Sequence, residues 1–70
     1  MQFLKINLEK HLKKKNMTQK ELAKKIGCSE THLSQVLNGS KRPSMGLLEK
    51  AAVELDTSIA ELLKDPFKEE

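Results

Sequence analysis

The stretch GCSETHLSQVLNG, from Gly27 to Gly39, decides how the chain is read. Leu33, Val36 and Leu37 stand three and four apart, the spacing of one buried stripe on a short helix. The opposite face carries Ser29, Glu30, Thr31, Ser34 and Gln35, short groups that donate or accept hydrogen bonds. The chain holds 13 Lys and Arg in 70 residues, yet this face carries none. A helix face without lysine, in a chain so rich in it, is kept for something other than solvation.

Reading outward, Gly27 is the stop of a preceding helix, a position that calls for positive φ. That helix opens at Thr18-Gln-Lys-Glu21, a capping box, with Met17 and Leu22 at the two flanking staple positions. The spacing predicts a helix over 18–26 with Leu22, Ala23 and Ile26 inward. Before it, Leu4, Leu8 and Leu12, with Ile6 or His11 alongside, predict a helix over 3–15 that Asn16 ends in the left-handed region. After Gly27, Ser29 is the N-cap of a helix over 29–37. Cys28 and Leu33 flank that cap, which gives Cys28 the structural duty of a small apolar group. Asn38-Gly39 is a strong turn pair. Ser40-Lys-Arg-Pro43 is a basic loop, and Ser44 caps a helix over 44–55 with Leu47, Leu48, Ala51, Ala52 and Leu55 buried. Asp56-Thr57 breaks the pattern. Ser58-Ile-Ala-Glu61 is a second capping box, opening a short helix over 58–64 with Ile59, Leu62 and Leu63 inward. Pro66 ends it. No strand pattern or repeat is present. The expectation is an all-α, five-helix domain over residues 1–66, with a tail over 67–70 that frays.

Composition narrows the function. Seventy residues allow one domain with a small core. There is no Trp or Tyr and only two Phe, which argues against single-strand binding by base stacking. One cysteine cannot close an internal disulfide and fits a reducing compartment. No apolar run approaches the ~20 residues of a membrane span, and the start MQFLKINLEK lacks the apolar core of a secretory signal, so a cytoplasmic protein is expected. Residues 1–42 hold ten Lys/Arg against three Asp/Glu, a net of +7, whereas residues 43–70 hold three against seven, a net of −4. Charge alone leaves two readings open: a polyanion docking on the basic part, or lysine simply solvating helix surfaces. An enzyme reading finds no Ser/His/Asp arrangement, no phosphate-cradling Gly loop and no metal set, since two His and one Cys lie scattered over three elements. No cofactor and no metal are expected.

Two short helices joined by a tight Gly turn, the second capped and polar outside, form the layout of a helix-turn-helix. The major groove of duplex DNA admits such a helix, and its base edges offer donors and acceptors. The lysine-free face over Ser29, Glu30, Thr31, Ser34 and Gln35 suits bases, while the lysines and arginine around it suit phosphates.

The runs Met17-Thr-Gln-Lys-Glu-Leu-Ala-Lys-Lys-Ile-Gly27, Ser29…Leu33-Ser-Gln-Val36 and Asn38-Gly-Ser-Lys-Arg-Pro-Ser44 resemble the phage-repressor/Cro-type (Xre, lambda-repressor-like) helix-turn-helix family. The likeness continues through Leu47-Leu-Glu-Lys-Ala-Ala to Ser58-Ile-Ala-Glu-Leu-Leu63, covering roughly residues 4–63. It implies a five-helix bundle that binds double-stranded DNA, commonly as a homodimer on an operator with two half-sites. By the same resemblance, Gln19 touches phosphate and braces the base-reading side chains. Ser29, Glu30, Thr31 and Gln35 fall at base-facing or backbone-facing positions, Ser34 shares their face, and Asn38, Lys41 and Arg42 fall in the phosphate-gripping loop. His32, on the flank, is a further phosphate donor. Each has a plainer duty beside it: Gln19 as a solvated first-turn residue, Ser29 as a cap, Asn38 as a turn former, Glu30 as an acid at a helix start. Two positions depart from the family. Leu12 and Leu37 stand where an Arg–Glu ion pair is frequent, so an apolar contact is expected there. His11 replaces an apolar residue and reads as a structural, half-exposed side chain.

The reading is a small bacterial or phage transcriptional regulator, a repressor, dimeric at least on DNA. With no sensor domain in 70 residues, its occupancy is set by its own concentration or by a separate protein. The dimer contact is expected at the C-terminal end, through Leu63 and Phe67, unless Phe67 covers the first helix of its own chain. The alternative is an antitoxin-like or regulatory module whose main partner is another protein.

Overall fold

The computed structural model describes residues 2–67, and the last residues of the expected tail, 68–70, lie outside them. Five helices follow one another: α1 (Gln2–Lys15), α2 (Gln19–Ile26), α3 (Glu30–Leu37), α4 (Met45–Glu54) and α5 (Ile59–Leu63). Four of them begin one residue after the expected start, because Thr18, Ser29, Ser44 and Ser58 are extended N-caps whose hydroxyls accept the backbone N–H three residues on. At Thr18 the box closes both ways, with the Glu21 carboxylate accepting from Thr18 N at 3.1 Å. At Ser58 only the first half forms: the Glu61 carboxylate turns instead to Lys64 Nζ at 2.6 Å. Asn16 (φ 55°) and Gly27 (φ 81°) end α1 and α2 in the left-handed region, as their residue types demand. Asp56 (φ 53°) does the same in the α4–α5 turn, where Lys15 pairs with its carboxylate.

One core joins all five helices. Leu4, Leu8 and Leu12 of α1 meet Leu22, Ala23 and Ile26 of α2, Leu33, Val36 and Leu37 of α3, and Leu48, Ala51, Ala52, Leu55 and Leu62. Leu12 and Leu37 are both buried in it, which places apolar volume where the family often keeps an ion pair. Met17 and Cys28 pack partly against the core at their staple positions. Ile6 does not join it: it stands 40% exposed, and the position after it, Asn7, is the buried one. Asn7 Nδ2 donates to the carbonyls of Leu62 and Lys64, both at 2.8 Å. Those carbonyls belong to the end of α5, where the helix ladder has run out. Asn7 therefore fastens α1 to the C-terminal end of α5. Phe67 does not cover α1; it is 76% exposed.

Candidate nucleic-acid interface

The outward face of α3 depends on the core beneath it. With Leu33, Val36 and Leu37 buried, the helical period turns Glu30, Thr31, Ser34 and Gln35 outward. Gln19, the first residue of α2, arrives beside them: a shallow depression is lined by Gln19, Glu30, Thr31, Ser34 and Gln35 together. Ser34 and Gln35 form its half-buried floor, and Glu30 and Thr31 its exposed rim. No ammonium or guanidinium lines it, so the surface there offers hydroxyls and amides with one carboxylate. The two helices are held at this angle by Gly27, whose N–H returns to Lys24 O, and by Cys28 N–H, which donates to Ala23 O at 2.9 Å.

The basic loop is tied to the same face through one carbonyl. Gln35 O accepts from Ser40 N at 2.9 Å and from Lys41 N at 3.2 Å. Lys41 and Arg42, both exposed, share a second depression with Val36, Gly39 and Pro43 at the end of α3. Asn38 caps α3 in a right-handed conformation, and the left-handed residue of the turn is Gly39 (φ 84°). The backbone thus makes no demand for Asn at 38. Its Oδ1 instead accepts from Lys5 Nζ at 3.4 Å.

Of the ten expected site residues, eight fall into these two neighbouring surfaces and the turn that joins them. Ser29 stays at the N-cap, its oxygen accepting from His32 N at 3.0 Å, which leaves its hydroxyl proton free to donate. His32 is half-buried and lines neither depression. Lys5 was missed by sequence reasoning, since it lies 33 residues from Asn38 and reads as one more solvated lysine of α1. Two carboxyl groups outside these depressions have pKa values lowered by lysine partners. The hydrogen bond from Lys15 holds the Asp56 carboxyl below its usual range, and that from Lys64 does the same for Glu61. Neither lines the depression formed by Gln19 and α3.

A capped, lysine-free helix, set by a glycine turn against a second helix and flanked by a basic loop, defines a helix-turn-helix DNA-binding protein. The helix-turn-helix family model matches residues 8–62, and the chain belongs to that family, in its Xre, lambda-repressor-like group. It is a sequence-specific DNA-binding transcription regulator. Among solved structures it is similar to the N-terminal DNA-binding domain of SinR from Bacillus subtilis, with 28% identity and a TM-score of 0.83 over 97% of this chain and all of that one. It is also similar to a chain of a SinR protein/SinI protein complex, with 29% identity and a TM-score of 0.79 over 91% of this chain and 63% of that one. Comparison with curated proteins found no significant match. Family and fold are those of DNA-binding regulators and not of enzymes. Among the described residues no helix is long and apolar enough to cross a membrane.

Proposed function

We propose that the protein is a repressor whose residues 1–66 act as one DNA-binding unit, with α3 in the major groove of its operator. Gln35 and Thr31 read base edges, with Ser29, Ser34 and Glu30 beside them. Gln19, His32, Asn38, Lys41 and Arg42 take phosphates. The observation that carries this reading is the depression in which Gln19 joins Glu30, Thr31, Ser34 and Gln35 without a cation, beside a loop that presents Lys41 and Arg42. Base edges call for matched donors and acceptors, and phosphates for positive charge.

A single reading helix covers few base pairs and buries little surface, so useful affinity calls for two copies on a two-fold site. Their recognition helices would stand about 34 Å apart, one duplex turn. Phe67 supports the C-terminal end as the contact: it is exposed, it leaves α1 of its own chain uncovered, and it lies in the acidic part of the sequence, away from phosphate. A second reading, a module with a protein partner, is supported by the likeness to a chain solved in a SinR protein/SinI protein complex.

Selection of bound duplexes from a random pool tests the function. A two-fold symmetric site is expected. Gln35→Ala should lose ~1–3 kcal/mol at that site and relax preference at one position, whereas Lys41→Ala should weaken all duplexes alike and lower the salt slope by about one contact. Unchanged preference in Gln35→Ala would remove α3 from the groove.

A further inference from the structure

Lys5 holds a position that base reading by α3 leaves unexplained. It sits in the first turns of α1, is exposed, and its Nζ donates to Asn38 Oδ1 at 3.4 Å. Glu9, one turn further along the same helix, is the ordinary partner for a lysine at that spacing. Lys5 nonetheless reaches across to α3, and among the described residues it forms no ion pair. Its charge is therefore uncompensated and held at the end of the recognition helix.

The chemistry of the pair selects an anion. A carboxamide has one acceptor oxygen and two N–H donors, and an ammonium has three donors and no acceptor. With one lone pair of Oδ1 engaged by Lys5, Asn38 keeps both of its Nδ2 protons to donate. Lys5 spends one proton on the contact and keeps two. The junction presents donors from both side chains and a full positive charge. Asn38 is in turn fixed by its backbone, since its N–H donates to Ser34 O at 2.9 Å, and the next turn closes on Gln35 O. The backbone that carries the Asn38 amide is thus anchored to α3.

We propose that Lys5 is a further DNA-contacting residue, forming with Asn38 a phosphate clamp at the edge of the groove that α3 enters. The first helix then widens the footprint beyond the helix-turn-helix itself. The inference rests on the reading of α3 as the recognition helix. The competing duty for Lys5 is a favourable charge at the C-terminus of α3, which would act on stability and not on DNA.

The full chain carrying Lys5→Gln, Lys5→Arg, Asn38→Ala, the Lys5→Gln/Asn38→Ala pair, or Lys50→Gln as a remote charge control is titrated against the duplex selected by the parent protein, from 50 to 200 mM salt. Lys5→Gln should weaken binding on the order of tenfold and lower the slope of log K against log salt by about 0.9, with site preference unchanged. Lys5→Arg should retain most of the affinity. The double variant should lose less than the product of the two single losses, because each side chain places the other. Lys50→Gln should leave the slope as it is. An unchanged slope in Lys5→Gln, with a lowered unfolding midpoint, would reduce Lys5 to a helix cap and overturn the clamp. Equal losses for Lys5→Gln and Lys50→Gln would overturn it as well. In both cases the parent still binds its site, so the recognition-helix reading survives; a parent protein with no duplex preference would overturn both together.

Discussion

Asn7 is the side chain whose loss the architecture should feel most for its size. It is 2% exposed, and its amide donates two 2.8 Å hydrogen bonds to Leu62 O and Lys64 O at the end of α5. In Asn7→Ala both carbonyls lose that donor. The Leu62 bond is buried, so its carbonyl is left without water, a penalty of about 1–3 kcal/mol. The Lys64 bond is only partly buried, so water replaces the donor and the loss is near 0.5–1 kcal/mol. The sum is roughly 1.5–4 kcal/mol, a large share of what a domain this small holds. Urea unfolding followed by circular dichroism should show it as a lower midpoint with little change in slope. In heat it corresponds to about 6–30 °C. Asn7→Asp separates hydrogen bonding from packing, since it is nearly the same shape. At neutral pH it should be at least as destabilising as Ala, because a buried carboxylate would face two carbonyl oxygens. That burial raises its folded pKa above the unfolded ~3.9, so the penalty should shrink as pH falls through the folded value towards the unfolded one. A loss below about 0.5 kcal/mol in Asn7→Ala, or an Asn7→Asp variant as stable as the parent at pH 7, would refute the account of Asn7 as the clasp between α1 and α5.

The Leu12–Leu37 exchange predicts that either Leu→Ala change costs ~2–5 kcal/mol, and that a double-mutant cycle returns a clear coupling; coupling near zero would mean that the two do not pack together. At Gly27 an added Cβ meets nothing within 4 Å, so Gly27→Ala should cost only the left-handed backbone, about 1–2 kcal/mol, with Gly27→Asn recovering part of it in the same urea titration. His11 has its pKa lowered from the ordinary 6.5, first by burial and then by the charge of Lys14, with Glu61 opposing. The unfolded chain therefore takes up this proton first, and stability should fall as pH drops below 6.5 and level off below the folded value. His11→Leu should flatten that window alone when midpoints at pH 7.5 and pH 5 are compared, because Asp56 and Glu61, with pKa values lowered by Lys15 and Lys64, add their own loss only further into acid.

What the sequence shows plainly is what acts over three or four residues. Thr18 and Glu21, Ser29 and His32, Ser44 and Leu47 are cap and recipient at fixed spacing, so the helix starts can be read directly. Asn16 and Gly27 announce their backbone conformation by residue type. The buried stripes of α2 and α3 follow, and with them the outward face from Glu30 to Gln35. The same local logic misleads at two places. At Ser58 the box is complete by spacing, but Lys64 stands three residues beyond Glu61 and competes for its carboxylate. In α1, hydropathy favours Ile6 over Asn7, yet the buried position is Asn7, because its partners are carbonyls that no hydropathy scale counts and that lie 55 and 57 residues away. The meeting of Gln19 with α3 came from family resemblance rather than from spacing. Lys5 has neither signal, since an exposed lysine is ordinary, whereas Asn38 is expected in the phosphate loop by resemblance and in a turn by the Gly that follows it. The turn forms as expected, with Gly39 and not Asn38 in the left-handed conformation, so the turn places no left-handed demand on Asn38. The amide oxygen of Asn38 instead meets a lysine from another helix, a contact across 33 residues that no local spacing announces. That contact brings a charge from α1 to the end of α3, beside the outward face that carries Thr31 and Gln35, and it is the observation on which the proposed clamp stands.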